Sequence, residues 1–418
     1  MFLLGGKNMI NKSYKHWIIV LLMCCLAASS IGLCTNAIGV FYVPVSKSLH
    51  VLKGTFALHA TLSTLATALT SLKISKIIKK YNYKKVLGIG VLLTSLSTWL
   101  MSYSSSVYLF YLLGIIRGIG VGIYGMVPLT VVITNWFDQK HGLATSLALS
   151  FSGLAGAIFS PLLSFWIDHY GWQMTYRFMA LCIFILVLPA LCVSWKIKPQ
   201  DEGLLPYGYQ KKEILTVQKN KINLLTLSFL CMCLLTILHT SITGISQHLS
   251  GIALSIQLST SIGATFMSLA MIGNICTKLL IGFLSDLFIP VKAVIIMILT
   301  NCFSLILLFV GVLQQSVLLL SVGSFIFGSI YSVGAVGIPM LTRYFFGSEN
   351  YSQTYAVIGF LTNVGSASSL TLIGYLYDFT QSYQVVFIIA LFFHLINLVL
   401  LLVICSRYNN KGDRNEIL

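Results

Sequence analysis

The chain has 418 residues, of which 57% are hydrophobic and only 9% are charged, and its formal net charge is +16. An average soluble domain carries about 25% charged residues, so the composition excludes a large soluble protein and indicates an integral membrane protein. The positive charge could indicate nucleic-acid binding, but the basic residues lie between apolar segments and form no RNA- or DNA-binding motif. We therefore expect no nucleic-acid partner.

Apolar windows of about twenty residues, the length that crosses a bilayer as a helix, recur along the whole chain. They predict twelve transmembrane helices: 16–42, 55–78, 86–103, 107–135, 142–167, 173–195, 222–247, 258–285, 291–312, 316–341, 353–377 and 383–405. The only long polar interval, 196–221, follows the sixth helix. The sequence therefore predicts an all-α membrane protein with two six-helix bundles, 1–195 and 222–418, joined by this linker.

Lysine and arginine are unevenly distributed between the loops of this arrangement. Of the 26 Lys and Arg residues, 21 fall on the side of the N-terminus, and three (Lys47, Lys53 and Arg177) fall on the other side. Cytoplasmic loops carry the excess of basic residues in membrane proteins. The distribution predicts that both termini and the linker are cytoplasmic, and we expect a multi-pass protein of the cell membrane.

Two basic residues lie inside predicted helices, where a charge costs about 2.5–3.5 kcal/mol on insertion scales. Lys278, in the eighth helix, is interpreted either as the counter-charge for an anionic substrate or as a residue whose stem reaches the interface. Arg117 lies deep in the fourth helix. It either contacts substrate or relays protons, or it makes structural hydrogen bonds to helix carbonyls, since guanidinium has five donors.

Further polar side chains occur on helices that we expect to surround a cavity. They are Asn36, Tyr124, Gln247, Asn274, Tyr331 and Asn363, together with the histidines His59 and His239. Each is interpreted either as a substrate contact or as an ordinary interhelical hydrogen-bonding or packing residue. Gly114, Gly118 and Gly122 are spaced four apart and predict one flat helix face for close packing.

Acidic residues are missing from the predicted helix interiors. A proton-coupled transporter usually needs a buried titratable acid. The sequence therefore favours anion exchange or facilitated transport, unless a substrate carboxylate or His239 carries the proton. The lack of acidic clusters and of paired Asp or Ser/His residues argues against a membrane enzyme. The ten cysteines show no metal-ligand spacing, and we expect no metal and no cofactor.

Several of these positions resemble motifs of the major facilitator superfamily. Gly282, Leu284, Asp286 and Lys292 match the family's loop motif after helix eight, roughly Gly-x-Leu-x-Asp-Arg-x-Gly-Arg-Arg. The copy after helix two is eroded, because Lys79 stands where the family has an acid. In the same way, the segment 117–122 resembles the arginine-containing motif of helix four. Gly153, Gly156 and Pro161 resemble the family's gating helix.

Shorter motifs resemble one branch, the monocarboxylate and oxalate/formate transporters. They are Trp136-Phe137 with His141-Gly-Leu-Ala144, the segment 345–351, the proline- and glycine-containing linker segment 198–208, and Lys278 at the branch's basic position in helix eight. Two features depart from the branch: Asn274 replaces an acid found in its animal members, and helices one and eleven lack a second basic residue.

The resemblance implies the major facilitator fold and transport by alternating access around a midplane site. The expected substrate is a small, monocarboxylate-like organic anion, carried by antiport, symport or facilitated transport by a monomer in the lipid bilayer. The expected substrate-binding residues are Lys278, Arg117, Asn274, Asn36, His239, Tyr124 and Tyr331. The expected gating residues are Asp286, Gly282, Lys292, Gly153, Gly156 and Pro161. Two alternatives remain: an exporter of neutral or drug-like solutes, and a non-transporting membrane sensor or scaffold.

Overall fold

The helices account for nearly all of the described part of the chain, which in this computed structural model comprises residues 13–209 and 226–409. A few side chains inside these ranges, among them those of Lys79 and Asp286, lie outside the described part. Nine helical stretches in the described part are long and apolar enough to cross a membrane. The all-α class predicted from the sequence is thus confirmed.

We call the helices before residue 210 the N-half and those after residue 225 the C-half. The N-half contains α1 (Ser13–Ala27), a π-helix (Ala28–Asn36), a 3-10 turn (Ile38–Phe41), α2 (Tyr42–Ser48), α3 (Lys53–Lys80), α4 (Tyr83–Met101), α5 (Val107–Tyr124), α6 (Met126–Trp136) and α7 (His141–Cys192). The C-half contains α8 (Leu227–Thr240), α9 (Ile245–Ser255), α10 (Thr260–Leu287), α11 (Pro290–Leu313), α12 (Val317–Phe327), α13 (Ser329–Ser332), a π-helix (Val333–Gly337), α14 (Ile338–Thr380) and α15 (Gln384–Asn409).

Two of these helices contain a sharp turn at a single glycine. Gly171 in α7 has φ 79° and ψ 162°, and Gly347 in α14 has φ 76° and ψ 159°. Only glycine reaches this region of backbone conformation without a steric penalty. Both turns lie in intervals that hydropathy left between two predicted spans, so each long helix consists of two rods.

Four apolar stretches are broken near their middle. The first contains the π-helix and 3-10 turn after α1, the second breaks at Gly125, the third at residues 241–244, and the fourth between Phe327 and Ile338. Hydropathy predicts the first, second and fourth stretches as one span each, and the predicted span 222–247 crosses the third break but ends three residues into α9. Apolar composition says little about where the backbone hydrogen-bond ladder is interrupted. Glycines at or beside the breaks were the available signal.

Helix α5 packs closely on α3 through the glycine face predicted from the sequence. A Cβ atom at Gly114 would lie 2.6 Å from the carbonyl oxygen of His59, and one at Gly118 would lie 2.1 Å from that of Ser63. Thr67 also donates a hydrogen bond of 2.9 Å to the Gly118 carbonyl. The predicted close-packing role of this glycine series is confirmed.

The segment 193–209 folds back against the N-half. Trp136 Nε1 donates to the Lys196 carbonyl at 2.9 Å, and His16 Nε2 lies 2.8 Å from the Leu205 carbonyl. Tyr207 pairs with the backbone of Phe137, and Lys15 forms an ion pair with Glu202. We call the end of the molecule that carries this segment the linker face, and the other end the opposite face.

The two halves meet most closely toward the opposite face. Helix α3 packs on α14, where Thr61 Oγ1 donates to the Ala367 carbonyl at 2.7 Å and Thr55 lies 3.3 Å from the Tyr375 hydroxyl. Helix α7 packs on α10, where Ser268 Oγ donates to the Ala157 carbonyl at 2.6 Å. These contacts close the space between the halves at the opposite face.

Candidate functional site

A cavity of about 210 Å³ lies between the two halves, where the broken helices meet. Its lining residues are Ser30, Ile31, Cys34, Thr35, Asn36, Ile38, Ala60, Ser63, Thr64, Thr67, Arg117, Val121, Gly125, Met126, Thr243, Gly244, Gln247, Tyr331, Asn363, Ser366 and Leu370. They come from both halves and include no acid. The size suits a small solute, since pockets for drug-sized ligands start at about 300 Å³.

A second, larger depression of about 890 Å³ lies at the linker face. It is lined by the α3–α4 turn, the end of α6 and the segment 194–201, all in the N-half. We take the smaller cavity as the candidate site, because it lies between the halves and contains a deeply buried charge.

Arg117 supplies that charge. Its side chain on α5 is 1% exposed, and its Nε and Nη1 atoms have no hydrogen-bond partner among the described residues. A buried guanidinium whose donors lack partners is costly. The arrangement therefore favours an anion in the cavity, where low dielectric strengthens the attraction.

Polar side chains from both halves share the cavity wall with Arg117. Asn36 donates from Nδ2 to the Ser152 carbonyl at 3.0 Å, and Asn363 donates to the Gly359 carbonyl at 3.0 Å. The Tyr331 hydroxyl is hydrogen-bonded to Ser246 Oγ, while Gln247 Oε1 has no partner among the described residues. Amides and a hydroxyl can orient a carboxylate that Arg117 attracts.

Three of the residues predicted from the sequence lie outside the cavity wall. Tyr124 is buried within the N-half, with its hydroxyl 3.4 Å from Ser29 Oγ. Asn274 faces the break between α12 and α13, where a Cβ at Gly328 would lie 2.2 Å from its backbone nitrogen. His239 is buried within the C-half, with Nε2 3.0 Å from the Ile330 carbonyl.

Lys278 does not line this cavity either, although the sequence singled it out first. On α10, Asn274 marks the face that contacts α12–α13, and Ile275 marks the face that contacts α7. Lys278 follows these residues by four and three positions, so it lies one turn further along between the two faces. Its side chain is partly exposed and lies toward the linker face. The structure thus brings Arg117, Asn36 and Tyr331 together and leaves Lys278 outside their wall.

The predicted gating residues occupy different environments. A Cβ at Gly156 would lie 2.9 Å from Met271 Cγ, and one at Gly153 would lie 3.0 Å from Ile275 Cγ1, so these glycines permit close approach of α7 and α10. Pro161 lies inside α7, two turns from this contact. Gly282 has open space around it. Lys292 is exposed on α11, and the Asp286 side chain lies outside the described part.

Sequence reasoning missed a cluster that joins the halves at the opposite face, which we call the α3–α14 latch (Lys53, Gly54, Tyr377 and Asp378). Asp378 accepts a 2.8 Å hydrogen bond from the backbone N–H of Gly54, and Lys53 Nζ lies 3.5 Å from the Tyr377 ring centroid. Burial lowers the pKa of Lys53, which precedes the predicted span, to about 8, while Asp378 partly offsets this effect. Gly54 at the start of α3 was the only local sign of this cluster in the sequence.

Comparison with known proteins gives one family. The sequence profile of the Major Facilitator Superfamily matches residues 24–267 and 235–417. The chain is similar to monocarboxylate transporter 12 of Xenopus laevis, at 25% identity over 331 residues that cover 72% of this chain and 70% of that protein.

The chain is also similar in sequence to a bacterial relative, and in fold to a solved structure. The uncharacterized MFS-type transporter YcxA of Bacillus subtilis is 24% identical over 169 residues, which cover 40% of this chain and 41% of YcxA. The chain thus spans about two fifths of YcxA. A crystal structure of a nucleoside transporter NupG mutant superposes with a TM-score of 0.70 at 13% identity, over 93% of this chain and 99% of that one.

Proposed function

This chain belongs to the Major Facilitator Superfamily of membrane transporters, and we propose that it carries small organic anions of the monocarboxylate type. Transport would occur by alternating access, in which the two halves expose one site to each side of the membrane in turn. A single cation in the cavity suits a monoanion better than a dianion, because the second negative charge of a dianion would lack a partner.

One observation carries the proposal: the guanidinium of Arg117 is buried in a cavity between the halves with two of its nitrogens unpartnered. A neutral solute would leave that charge uncompensated, and a cation would be repelled by it. An anion of suitable size would satisfy it with charge-assisted hydrogen bonds, which are about twice as strong as neutral ones.

The proposed topology has twelve spans in two six-helix bundles, residues 1–195 and 222–418, with the linker 196–221 and both termini in the cytoplasm of a cell-membrane protein. The distribution of basic residues supports this orientation. The glycine turns in α7 and α14 support the count, since each divides one long helix into two rods. A monomer suffices, because one chain supplies both walls of the cavity.

Lys278 has a secondary role in this proposal. It lies on α10 toward the linker face, which the proposed topology assigns to the cytoplasm. An anion that leaves Arg117 would meet Lys278 next, so the lysine favours exit or entry on that side by electrostatic attraction. Lys278→Ala should therefore slow transport while leaving binding at Arg117 largely intact.

A thermal-shift screen of the purified protein tests the substrate class. Small mono- and dicarboxylates, neutral sugars and lipophilic cations are compared on the unmodified chain and on Arg117→Gln. We expect a monocarboxylate to raise the unfolding temperature of the unmodified chain. In Arg117→Gln its affinity should fall by about 2–5 kcal/mol, roughly thirtyfold or more in Kd.

Arg177→Gln is the matched control, because that arginine lies at the opposite face, where it donates to Ser102 Oγ at 3.1 Å and stacks on Tyr103. It should keep the full carboxylate response. A larger response to a lipophilic cation or a neutral solute, or an unchanged carboxylate response in Arg117→Gln, contradicts the proposal.

A further inference from the structure

A buried polar cluster in the C-half lies outside the cavity wall. His239 on α8 and His394 on α15 are fully buried, and their ring centroids are 5.7 Å apart. Asn397, one turn after His394, is also fully buried, and both polar atoms of its side chain lack a partner among the described residues. Buried polar atoms normally have hydrogen-bond partners, so this cluster needs an explanation.

The hydrogen bonds fix the tautomer of each ring. His239 Nε2 lies 3.0 Å from the Ile330 carbonyl, which can only accept, so Nε2 carries the hydrogen. Asn301 Nδ2 donates to the Phe327 carbonyl at 3.3 Å, which turns its Oδ1 toward His394 Nε2 at 2.6 Å. His394 therefore also carries its hydrogen on Nε2. In both rings the Nδ1 lone pair has no partner among the described residues.

These bonds connect the histidine pair to a break in the helix that lines the cavity. The carbonyls of Phe327 and Ile330 flank Gly328, where α12 ends and α13 begins. The next residue after Ile330 is Tyr331, which belongs to the cavity wall. A change in the bond between His239 and Ile330 would therefore move a residue that faces the substrate.

We propose that His239 and His394 form a proton-binding site inside the C-half, and that the proton bound there biases the conformational cycle through the break at Gly328. A proton from water adds to the Nδ1 lone pair of one ring. The resulting imidazolium Nδ1–H donates to an acceptor of the cluster, either Asn397 Oδ1 or the Nδ1 of the other ring. No bond between heavy atoms changes. Two imidazolium ions this close would repel each other, so the pair holds one proton.

The charged groups on the helices around the histidine pair lie toward the two ends of the molecule. On the elements packed against the pair, Lys292, Arg343 and Arg407 lie toward the linker face and Asp378 lies at the end of α14 nearest the opposite face. Two ionisable residues adjoin the cluster in sequence: Tyr331 follows Ile330, and Cys302 follows Asn301. No carboxylate of the described residues belongs to the cluster.

Burial without a neighbouring carboxylate opposes an imidazolium ion in the conformation described here. A conformation in which water reaches the pair would bind the proton better. A ligand shifts a two-state equilibrium through its different affinity for the two states, so proton binding should disfavour the conformation that is closed at the opposite face. This site would supply a titratable group in place of the acid that the predicted helix interiors lack.

The first test reads protonation directly and needs no substrate. The full chain is labelled with ¹⁵N-histidine, and the ring nitrogen signals are followed from pH 5 to 8, with assignment by His239→Gln and His394→Gln. We expect both rings to begin as Nε2–H tautomers and to titrate as a coupled pair, so that replacing either ring shifts the midpoint of the other. Two rings that stay neutral, or that titrate independently, overturn the proposal.

The second test measures conformation. Spin labels are attached at Ser48→Cys and Ser255→Cys, two exposed positions of the opposite face, after the exposed Cys192 and Cys276 are replaced by serine. The population with a long distance should rise on acidification, by up to about tenfold per pH unit for one linked proton. A pH-independent distance distribution means that the pair only caps the helix break, and overturns the proposal.

Matched variants separate titration from capping. A glutamine amide can donate to the Ile330 carbonyl in place of Nε2, so His239→Gln keeps the cap and should lose the pH response. His16→Gln replaces a buried histidine whose Nε2 faces the Leu205 carbonyl at 2.8 Å, far from the pair, and should keep it. This inference relies on the proposed transport function only for its role in the cycle, because neither measurement depends on the substrate.

Discussion

Two buried or partly buried cations, Lys53 and Arg117, lie in the N-half and differ in their partners. The Lys53 ammonium lies 3.5 Å from the centroid of the Tyr377 ring, with Asp378 close enough to favour its charge. Arg117 is more deeply buried, and two of its nitrogens have no partner among the described residues. The first cation is satisfied by the other half of the protein, whereas the second lies in a cavity.

Under the proposed function, this difference separates a structural charge from a ligand-binding charge. Partners supplied by the C-half place Lys53 in the α3–α14 latch, although burial there still lowers its pKa. The lack of partners makes Arg117 a destabilising residue in the ligand-free protein, a cost that an anionic ligand would remove. The comparison predicts that replacing Arg117 stabilises the ligand-free protein, whereas altering the α3–α14 latch weakens the closed conformation.

The largest effect should follow Arg117→Met. Removing an unpaired buried charge should stabilise the ligand-free protein, by about 1–4 kcal/mol where similar volume replaces it, and should abolish the thermal response to carboxylates. Arg177→Met, which loses the bonds to Ser102 and Tyr103, should lower the unfolding temperature slightly. If Arg117→Met unfolds at a lower temperature than the unmodified chain, the guanidinium is structural and the comparison fails.

The next effect concerns the backbone contact in the α3–α14 latch. A Cβ at Gly54 would lie 2.6 Å from Tyr375 Cγ, so Gly54→Ala should push the halves apart. Overpacking of this kind costs about 1–3 kcal/mol. The spin-label distance across the opposite face should lengthen. Gly359→Ala is the control, since a Cβ there meets nothing within 4 Å, and an equal change in both variants would contradict a specific latch.

A smaller shift is expected for Asp378→Ala. The carboxylate accepts the Gly54 N–H at the start of α3, where a negative charge is favourable, and such caps contribute about 0.5–2 kcal/mol. Its loss should raise the population that is open at the opposite face. Asp138→Ala, exposed at the linker face, should leave the distances unchanged. A normal distance distribution in Asp378→Ala would assign the closure to apolar packing alone.

The smallest effect is a pH dependence of the latch. The pKa of Lys53 is lowered to about 8 in the closed state and should return toward its ordinary value when the latch opens. The open state then binds more protons between these values, so the closed state gains stability as pH rises from about 8 to 10.5. The gain should be well below tenfold per pH unit, because Lys53 is partly exposed.

Distance measurements at pH 7.5 and 9.5 on the unmodified chain and on Lys53→Gln check this prediction. The glutamine variant should show no change between the two values. If the open population grows as pH rises, the predicted direction of the pH effect is wrong and Lys53 does not contribute to the latch.

Much of this architecture could be predicted from hydropathy and charge. Apolar windows located α3 and α4 to within a few residues, and the depth of Arg117 in its window made it a candidate for either a substrate contact or a structural role. Hydropathy could not locate the breaks that form the cavity, because a helix that is apolar throughout looks the same whether or not its hydrogen-bond ladder is interrupted.

Pairing between distant segments was also beyond the sequence. Gly54 and Asp378 are 324 residues apart. Both stand at helix ends, where a glycine or a charged residue is common, so neither position indicates the pairing. Lys278 was singled out by depth and by resemblance, but a rotation of 100° per residue along α10 decides which neighbour each side chain faces. Without the packing of α10 on α7 and α12–α13, the sequence does not show which side chains of α10 face the cavity.

The docking of residues 193–209 on the N-half has a consequence for how far the halves can separate. This segment is held to the N-half by Trp136, His16 and Lys15. The docked chain ends at Tyr209 and the C-half begins at Thr226, so seventeen peptide units connect the two. Seventeen peptide units reach at most about 60 Å when extended. A tether of that reach places no limit on rocking motions of a few ångströms, so shortening it by several residues should leave transport intact.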